Sequence, residues 1–386
     1  MTIKSLNIPQ DQINSIIDLF SSGQTQEALD AVKALIKDYP NDPFLFNISG
    51  ACYAGLGQFD AAVKDYEKAI AIKPDYAEAH YNLAGTLQEL GQLDGAVESY
   101  EKSLAIKPDY AEAHNNLGNA LRELNQLDTA ITSYQKAIAI KPDYVEAHYS
   151  LGTTFQELGQ LDDAVKSYQK VLQLKPEFAA MHNNLAVILQ GLGKLNTAVE
   201  HLEKALSIKS DFAEAHNNLG NVLKELDKQD AALKSYEKAI AIKPDFAEAY
   251  FNLAGVLIDI GRIGEAVKSY ESALSFDSNN NFFWGSFSKN LRNIEFLEFS
   301  DTTASCLLEA LKKPTVRAND LIKPITSILR HNPTFCRVFE VSKSSNIDEK
   351  LNYLTEQLST IPLLLRLMEL CPISDPEVEK LLIKIR

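Results

Sequence analysis

Segments of 34 residues recur through the first 280 positions of the chain. Residues 77–110, 111–144 and 213–246 all open with AEAH and close with IKPD plus an aromatic residue. Further copies begin at 43, 145, 179 and 247, and a weaker copy spans 9–42. Because each copy must fold in the same local way, the sequence predicts an array of eight stacked units.

Each repeat, numbered 1 to 34, has the apolar pattern of two helices. Positions 4, 7, 8 and 11 lie on one arc of a first helix, called helix A, and the third repeat has His80, Leu83, Ala84 and Leu87 there. Gly91 at position 15 predicts a left-handed turn, and Asp94 is expected to cap helix B, which Pro108 ends. Each repeat is therefore predicted to be a helical hairpin.

This pattern resembles the tetratricopeptide-repeat family. That family has small residues at positions 8 and 20, an aromatic residue at 24 and proline at 32, and residues 9–280 follow it. The resemblance implies an all-α fold, a right-handed α-solenoid (superhelix) of antiparallel helix pairs. A binding role for protein or peptide partners is what the family likeness implies.

Residues outside the array are expected to be a short tail, 1–8, and a helical region, 281–386. Residues 281–293 continue the pattern as a ninth helix A that caps the last repeat, with Trp284 at position 4. Further helices are predicted at 301–313, 319–331, 347–359, 361–371 and 375–386. The segment from 361 to the end resembles the linker that precedes bacterial methyltransferase domains.

Charge restricts the kind of partner. Residues 1–280 carry 24 basic and 39 acidic side chains, a net charge of −15, whereas the remainder is nearly neutral. An acidic surface repels phosphate, so nucleic acid is excluded and a neutral to basic protein or peptide is favoured. The absence of a long apolar run predicts no membrane segment and a cytoplasmic location. Four dispersed cysteines predict buried free thiols.

Asparagine recurs on the predicted inner surface of helix A. Position 6 is asparagine in five repeats: Asn82, Asn116, Asn184, Asn218 and Asn252. A carboxamide both donates and accepts, so such a series could bind the backbone of an extended peptide in a concave groove. The series is similar to that in the repeat arms of O-linked N-acetylglucosamine transferases. The alternative is that recent duplication copied a neutral surface residue.

Positions 5 and 9 supply further candidate peptide contacts. These are Tyr81, Asn115, Tyr149, Asn183, Asn217 and Phe251 at position 5, and Asn119 and Asn221 at position 9. Glutamates at position 13, such as Glu89 and Glu123, are expected to make the groove acidic. Glutamates at position 2, such as Glu78, stand three residues after an aspartate and are predicted to form capping boxes.

No residue pattern indicates catalysis, a cofactor or a metal. Five histidines occupy position 4, one per repeat (His80, His114, His148, His182 and His216), too far apart to converge on one ion, so they are predicted to pack. GxSxG, HExxH and phosphate-loop motifs are missing. Two hypotheses remain: a non-enzymatic scaffold that binds peptide, or the substrate-recruiting arm of a methyltransferase or glycosyltransferase whose catalytic domain is elsewhere.

Overall fold

The computed structural model describes residues 8–342 and 351–370, which form 22 α-helices and no strand. They fall into two compact units that meet between Met181 and His182, in the first turn of one helix. The all-α fold of antiparallel helix pairs is therefore confirmed. None of the helices in these ranges is both long and apolar enough to cross a membrane.

Sixteen helices lie in the eight predicted repeats. The A helices are α1 Gln10–Ser21, α3 Pro43–Gly55, α5 Ala77–Glu89, α7 Ala111–Glu123, α9 Val145–Glu157, α11 Ala179–Gly191, α13 Ala213–Glu225 and α15 Ala247–Asp259. The B helices are α2 Thr25–Asp38, α4 Phe59–Ile72, α6 Leu93–Ile106, α8 Leu127–Ile140, α10 Leu161–Leu174, α12 Leu195–Ile208, α14 Gln229–Ile242 and α16 Ile263–Phe276.

The turn between helices A and B depends on one left-handed residue at position 15. Gly91 has φ of 71°, and its neighbour Gln92 donates its N–H to the carbonyl of Leu87 at 2.9 Å. Asn125 and Asp227 replace this glycine and both have φ of 59°. Asparagine and aspartate tolerate this region better than other non-glycine residues, so the hairpin keeps its geometry in these two repeats.

The predicted helix caps are wrong. Helix α6 begins at Leu93 with Gln92 as N-cap, which places Asp94 inside the first turn, and helix α5 is preceded by Tyr76 with no side-chain cap. The carboxylate of Glu78 lies 3.8 Å from Lys107 of the same repeat instead of closing a capping box. Asp94 and Glu78 still favour their helices, because negative charge in the first turn complements the helix dipole.

In six of the eight hairpins the core is built on a tyrosine at position 24, with Val32 and Leu202 there in the other two. Tyr134 and Tyr236 are fully buried, as are Ala130 and Ala232 at position 20. A Cβ on Gly118, at position 8, would lie 2.6 Å from the Tyr134 ring. Helix A therefore approaches helix B so closely that the ring occupies the space of a side chain.

The helical tail belongs to the core of the second unit. Helix α17, Asn281–Leu291, lies where the ninth helix A is predicted, and Trp284 is buried there. A continuous hydrophobic core extends from Leu223 to Leu367. The other tail helices are α18 Asp301–Ala310, α19 Ala318–Leu329, α20 Pro333–Ser342, α21 Leu351–Ser359 and α22 Pro362–Leu370.

Two features of this region differ from the sequence-based expectation. Helix α20 is not predicted, and Cys336 on it is only half-buried, with its thiol donating to the carbonyl of Arg330 at 2.9 Å. Cys52 and Cys306 are buried as predicted, and burial raises the pKa of their thiols to about 11 and about 12, which keeps them protonated. The predicted helix 375–386 and Cys371 lie outside the described residues.

Candidate functional site

One face of each helix A carries positions 5, 6, 9, 12 and 13, and we call it the A-helix face. Within each unit, successive A helices lie beside one another at an offset of 35 residues. A side chain at position 6 consequently meets position 5 of the preceding repeat, and position 13 meets position 12. Two rows of lateral contacts result, and each unit has its own.

The first row joins position 6 to position 5. In the first unit, Asn82 donates to Asn47 at 3.0 Å, and Asn116 donates to the Tyr81 hydroxyl at 2.9 Å. In the second unit, Asn218 donates to Asn183 at 2.9 Å and Asn252 to Asn217 at 3.1 Å. One N–H of each carboxamide therefore ties neighbouring repeats together, a structural role that the sequence analysis missed.

The second row joins position 12 to position 13. Gln88 donates to Glu123 at 2.6 Å, Arg122 lies 3.7 Å from Glu157, and Lys224 lies 3.3 Å from Asp259. Gln190 bonds Glu225 in the same way. The predicted acidity of this face is thus partly neutralised, because Arg122 and Lys224 each offset one carboxylate.

The asparagines at position 5 are not on the surface. Asn115, Asn183 and Asn217 are 5%, 8% and 1% exposed. Asn115 donates to Asn116 at 3.1 Å, and Asn217 donates to Glu248 at 3.2 Å. Their burial gives a peptide no direct access, so these three residues orient neighbouring side chains instead.

The asparagines at position 9 hold the buried tyrosine of their own repeat. The hydroxyl of Tyr134 donates to Asn119 at 2.9 Å, and that of Tyr236 donates to Asn221 at 2.7 Å. Both asparagines are half-buried. Since a buried hydroxyl without a partner would be costly, their main role is structural.

The aromatic candidates at position 5 differ from one another. Tyr81 packs against Tyr110 with ring centroids 4.8 Å apart, and Phe251 stacks on Phe283 at 4.4 Å. Tyr149 is 39% exposed. Among the candidates, Tyr149 and the exposed Asn184 therefore present the most open surface.

The position-4 histidines have a common structural role. Nε2 of His80, His114, His148 and His216 lies 3.0–3.2 Å from the carbonyl at position 32 of the preceding repeat. The indole N–H of Trp284 makes the same bond to Ser278 at 2.9 Å. Each ring ties helix A to the end of the previous helix B. In the described ranges, no cluster of three metal-binding side chains occurs.

Models of known protein families match the repeats. A model described as TPR repeat matches residues 50–91, 86–121, 118–159 and 154–193. Two models described as tetratricopeptide repeat match residues 177–245 and 227–281. Together these matches span residues 50–281.

Individual relatives share parts of the chain. The peroxisomal targeting signal receptor of Kluyveromyces lactis is 29% identical over 76 residues, which are 20% of this chain and 13% of the receptor. This chain therefore matches only a small part of that receptor's length.

Solved structures include one that shares the fold and one with a lower similarity. The C-terminal part of a TPR repeat-containing protein from Cytophaga hutchinsonii has a TM-score of 0.55 at 19% identity, covering 62% of this chain and 98% of that one. YrrB, described as a TPR protein with an unusual peptide-binding site, has a TM-score of 0.44 at 24% identity, covering 48% and 96%. These matches do not test the two transferase resemblances, which stay predictions.

Proposed function

Because this chain belongs to the tetratricopeptide-repeat family, we propose that it is a non-enzymatic scaffold that binds an extended peptide segment of a partner protein on its A-helix face. The observation that carries the proposal is the row of position-6 carboxamides. They occupy position 6 of five repeats, with Ser150 there in the fifth repeat, and lateral hydrogen bonds fix the orientation of four of them.

The lateral bonds leave most of each carboxamide unused. A carboxamide has two N–H donors and one oxygen with two lone pairs, and the bond to position 5 uses one N–H. In Asn82, Asn218 and Asn252 the oxygen and the second N–H remain for a ligand. An extended backbone presents alternating N–H and C=O groups, which such side chains match without reading the peptide's sequence.

Fixed orientation favours binding. A side chain that is already held in one rotamer loses less entropy when a ligand arrives, and this loss is about 0.5–1.5 kcal/mol for each mobile side chain. Asn183 and Asn217 at position 5 supply this rigidity, since each is buried and accepts from the following repeat. The structural role of these residues thus supports the binding role.

Charge supports a neutral to basic partner. The first 280 residues have a net charge of −15, and the carboxylates at position 13 line the same face as the carboxamides. Arg122 and Lys224 neutralise only two of these carboxylates. Basic side chains on the peptide would be attracted to the rest, in a salt-dependent way.

The test is a peptide selected against the whole chain from a random display library. Asn184→Ala combined with Asn218→Ala removes two neighbouring carboxamides, and we expect the affinity to fall about tenfold or more, at ~1.4 kcal/mol for each tenfold step. Asn196→Ala on helix α12 is the matched control, because it removes an exposed asparagine from a B helix.

Stability must be followed in parallel. Asn218→Ala leaves the buried oxygen of Asn183 without its donor, which costs ~1 kcal/mol. Thermal unfolding of each variant separates this cost from lost affinity. Selected peptides that bind the double variant as tightly as the parent would refute the proposed site.

A further inference from the structure

Glu271 lies where the last repeat meets the helical tail. It occupies position 25 of the eighth repeat on helix α16, and helix α18 of the tail packs against α16. One oxygen of its carboxylate, Oε1, is buried and has no hydrogen-bond partner among the described residues. An ionised carboxylate with an unpaired buried oxygen is costly. The contact between α16 and α18 therefore contains a group whose charge opposes it at neutral pH.

Glutamate at position 25 is exposed in the other repeats that carry it. These residues are Glu67, Glu101, Glu203 and Glu237. Glu271 is only half-buried as a whole, but the tail encloses one of its oxygens. A residue that the repeat keeps on its surface has thus become part of an interior contact.

The groups around Glu271 compensate its charge only in part. Lys268, three residues earlier on α16, is exposed, and it favours the ionised carboxylate, as does Thr302 on α18. Cys306 on α18 is 8% exposed, and burial raises the pKa of its thiol to about 12, so the thiol is neutral. Glu309 adds negative charge near this thiol. Burial outweighs Lys268 and Thr302 and raises the pKa of Glu271 above its ordinary value.

We propose that the contact between helices α16 and α18 is a pH-sensitive latch, in which protonation of Glu271 favours the docked tail and ionisation weakens it. The protonated carboxyl group is uncharged, so burial of its Oε1 costs less. Because the pKa is raised in the folded chain, this stabilising contribution is complete below about pH 4.5 and is lost as the pH rises through the raised pKa. The latch concerns the tail and does not depend on the peptide site of the A-helix face.

The test is amide hydrogen exchange of α18 in the full chain, measured by mass spectrometry at about pH 4.5 and about pH 7.5. Glu271→Gln removes the charge and keeps the shape, so at the higher pH its α18 amides should exchange about threefold slower, or more, than those of the parent. At the lower pH the parent is itself protonated, and this difference should disappear. Glu237→Gln is the matched control, because it makes the same change at the exposed position 25 of α14, and its α18 should exchange like that of the parent.

Thr302→Val gives a second test with the opposite sign. It removes a hydroxyl that favours the ionised carboxylate, so its α18 should exchange faster than that of the parent, and by a larger factor at the higher pH. Each variant is compared with the parent at the same pH, because intrinsic amide exchange also depends on pH, and circular dichroism confirms that the variants fold. Three results would each overturn the proposal: α18 exchange in Glu271→Gln that equals the parent at the higher pH, slowing that persists undiminished at the lower pH, or the same slowing in Glu237→Gln. A factor for Thr302→Val that is equal at both pH values would contradict it as well.

Discussion

Gly118→Ala tests how closely helices A and B approach in the fourth repeat. The added Cβ would lie 2.6 Å from Cε1 of Tyr134, well inside van der Waals contact, and the ring is fully buried. The Tyr134 hydroxyl also donates to Asn119 at 2.9 Å. The ring therefore cannot move away from the new methyl group without straining this hydrogen bond.

The third repeat shows which neighbouring residues accompany an alanine at position 8. It has Ala84 at position 8, but Gly85 follows at position 9, and the Tyr100 hydroxyl donates to Gln88 at 3.4 Å instead. In the fourth repeat, the methyl group of Gly118→Ala must fit while the Tyr134 hydroxyl keeps its hydrogen bond to Asn119. Overpacking costs ~1–3 kcal/mol, a weakened hydrogen bond costs ~1 kcal/mol, and the better helix propensity of alanine offsets ~1 kcal/mol. The net destabilisation is ~1–3 kcal/mol.

Gly95→Ala is the matched control. Its Cβ would lie 3.4 Å from Cδ1 of Leu87, an ordinary contact, so helix propensity should stabilise the protein by ~0.5–1 kcal/mol. Urea unfolding followed by circular dichroism compares the two variants with the parent under one set of conditions. Opposite signs are expected, and a Gly118→Ala variant as stable as Gly95→Ala would refute the close approach.

Three further changes test other contacts. Burial lowers the pKa of His201, and the neighbouring His182 adds to this effect. The unfolded chain therefore binds more protons than the folded chain below about pH 6.5, and the stability of the protein falls as the pH drops below that value. His201→Ser should weaken this pH dependence in thermal unfolding. Trp284→Phe removes the indole bond to Ser278 and should cost ~1 kcal/mol in urea unfolding. Leu117→Ala should cost ~2–5 kcal/mol through a cavity, and an unchanged urea midpoint would contradict its place in the core.

The period of 34 residues predicted the structure inside each repeat well. The left-handed turn at Gly91 and the helix from 281 are both present as expected. These features depend on backbone conformation and on helical periodicity, which are local properties of sequence. The fold class could therefore be predicted from one aligned pair of repeats.

The relation between neighbouring repeats was harder to predict. The sequence repeats at 34, but side chains on adjacent A helices meet at an offset of 35, which depends on how the helices pack. The asparagines at position 5 are buried for this reason, and Asn217, for example, supports the neighbouring repeat instead of offering an exposed contact. Complementary pairs at this offset, such as Arg122 with Glu157, were the sequence signal that could have revealed how neighbouring A helices pack. Helix caps failed because aspartate stood one or two residues from the position that the turn requires.

The most direct test of the proposed function modifies the bound peptide and leaves the protein unchanged. A peptide selected on the whole chain is synthesised with single N-methyl groups at successive residues, and its affinity is measured by calorimetry. If the carboxamides of Asn184, Asn218 and Asn252 bind the backbone, methylation at alternate residues should weaken binding about tenfold, while single side-chain changes to alanine should have smaller effects. Binding that ignores backbone methylation and depends only on side chains would contradict the central claim.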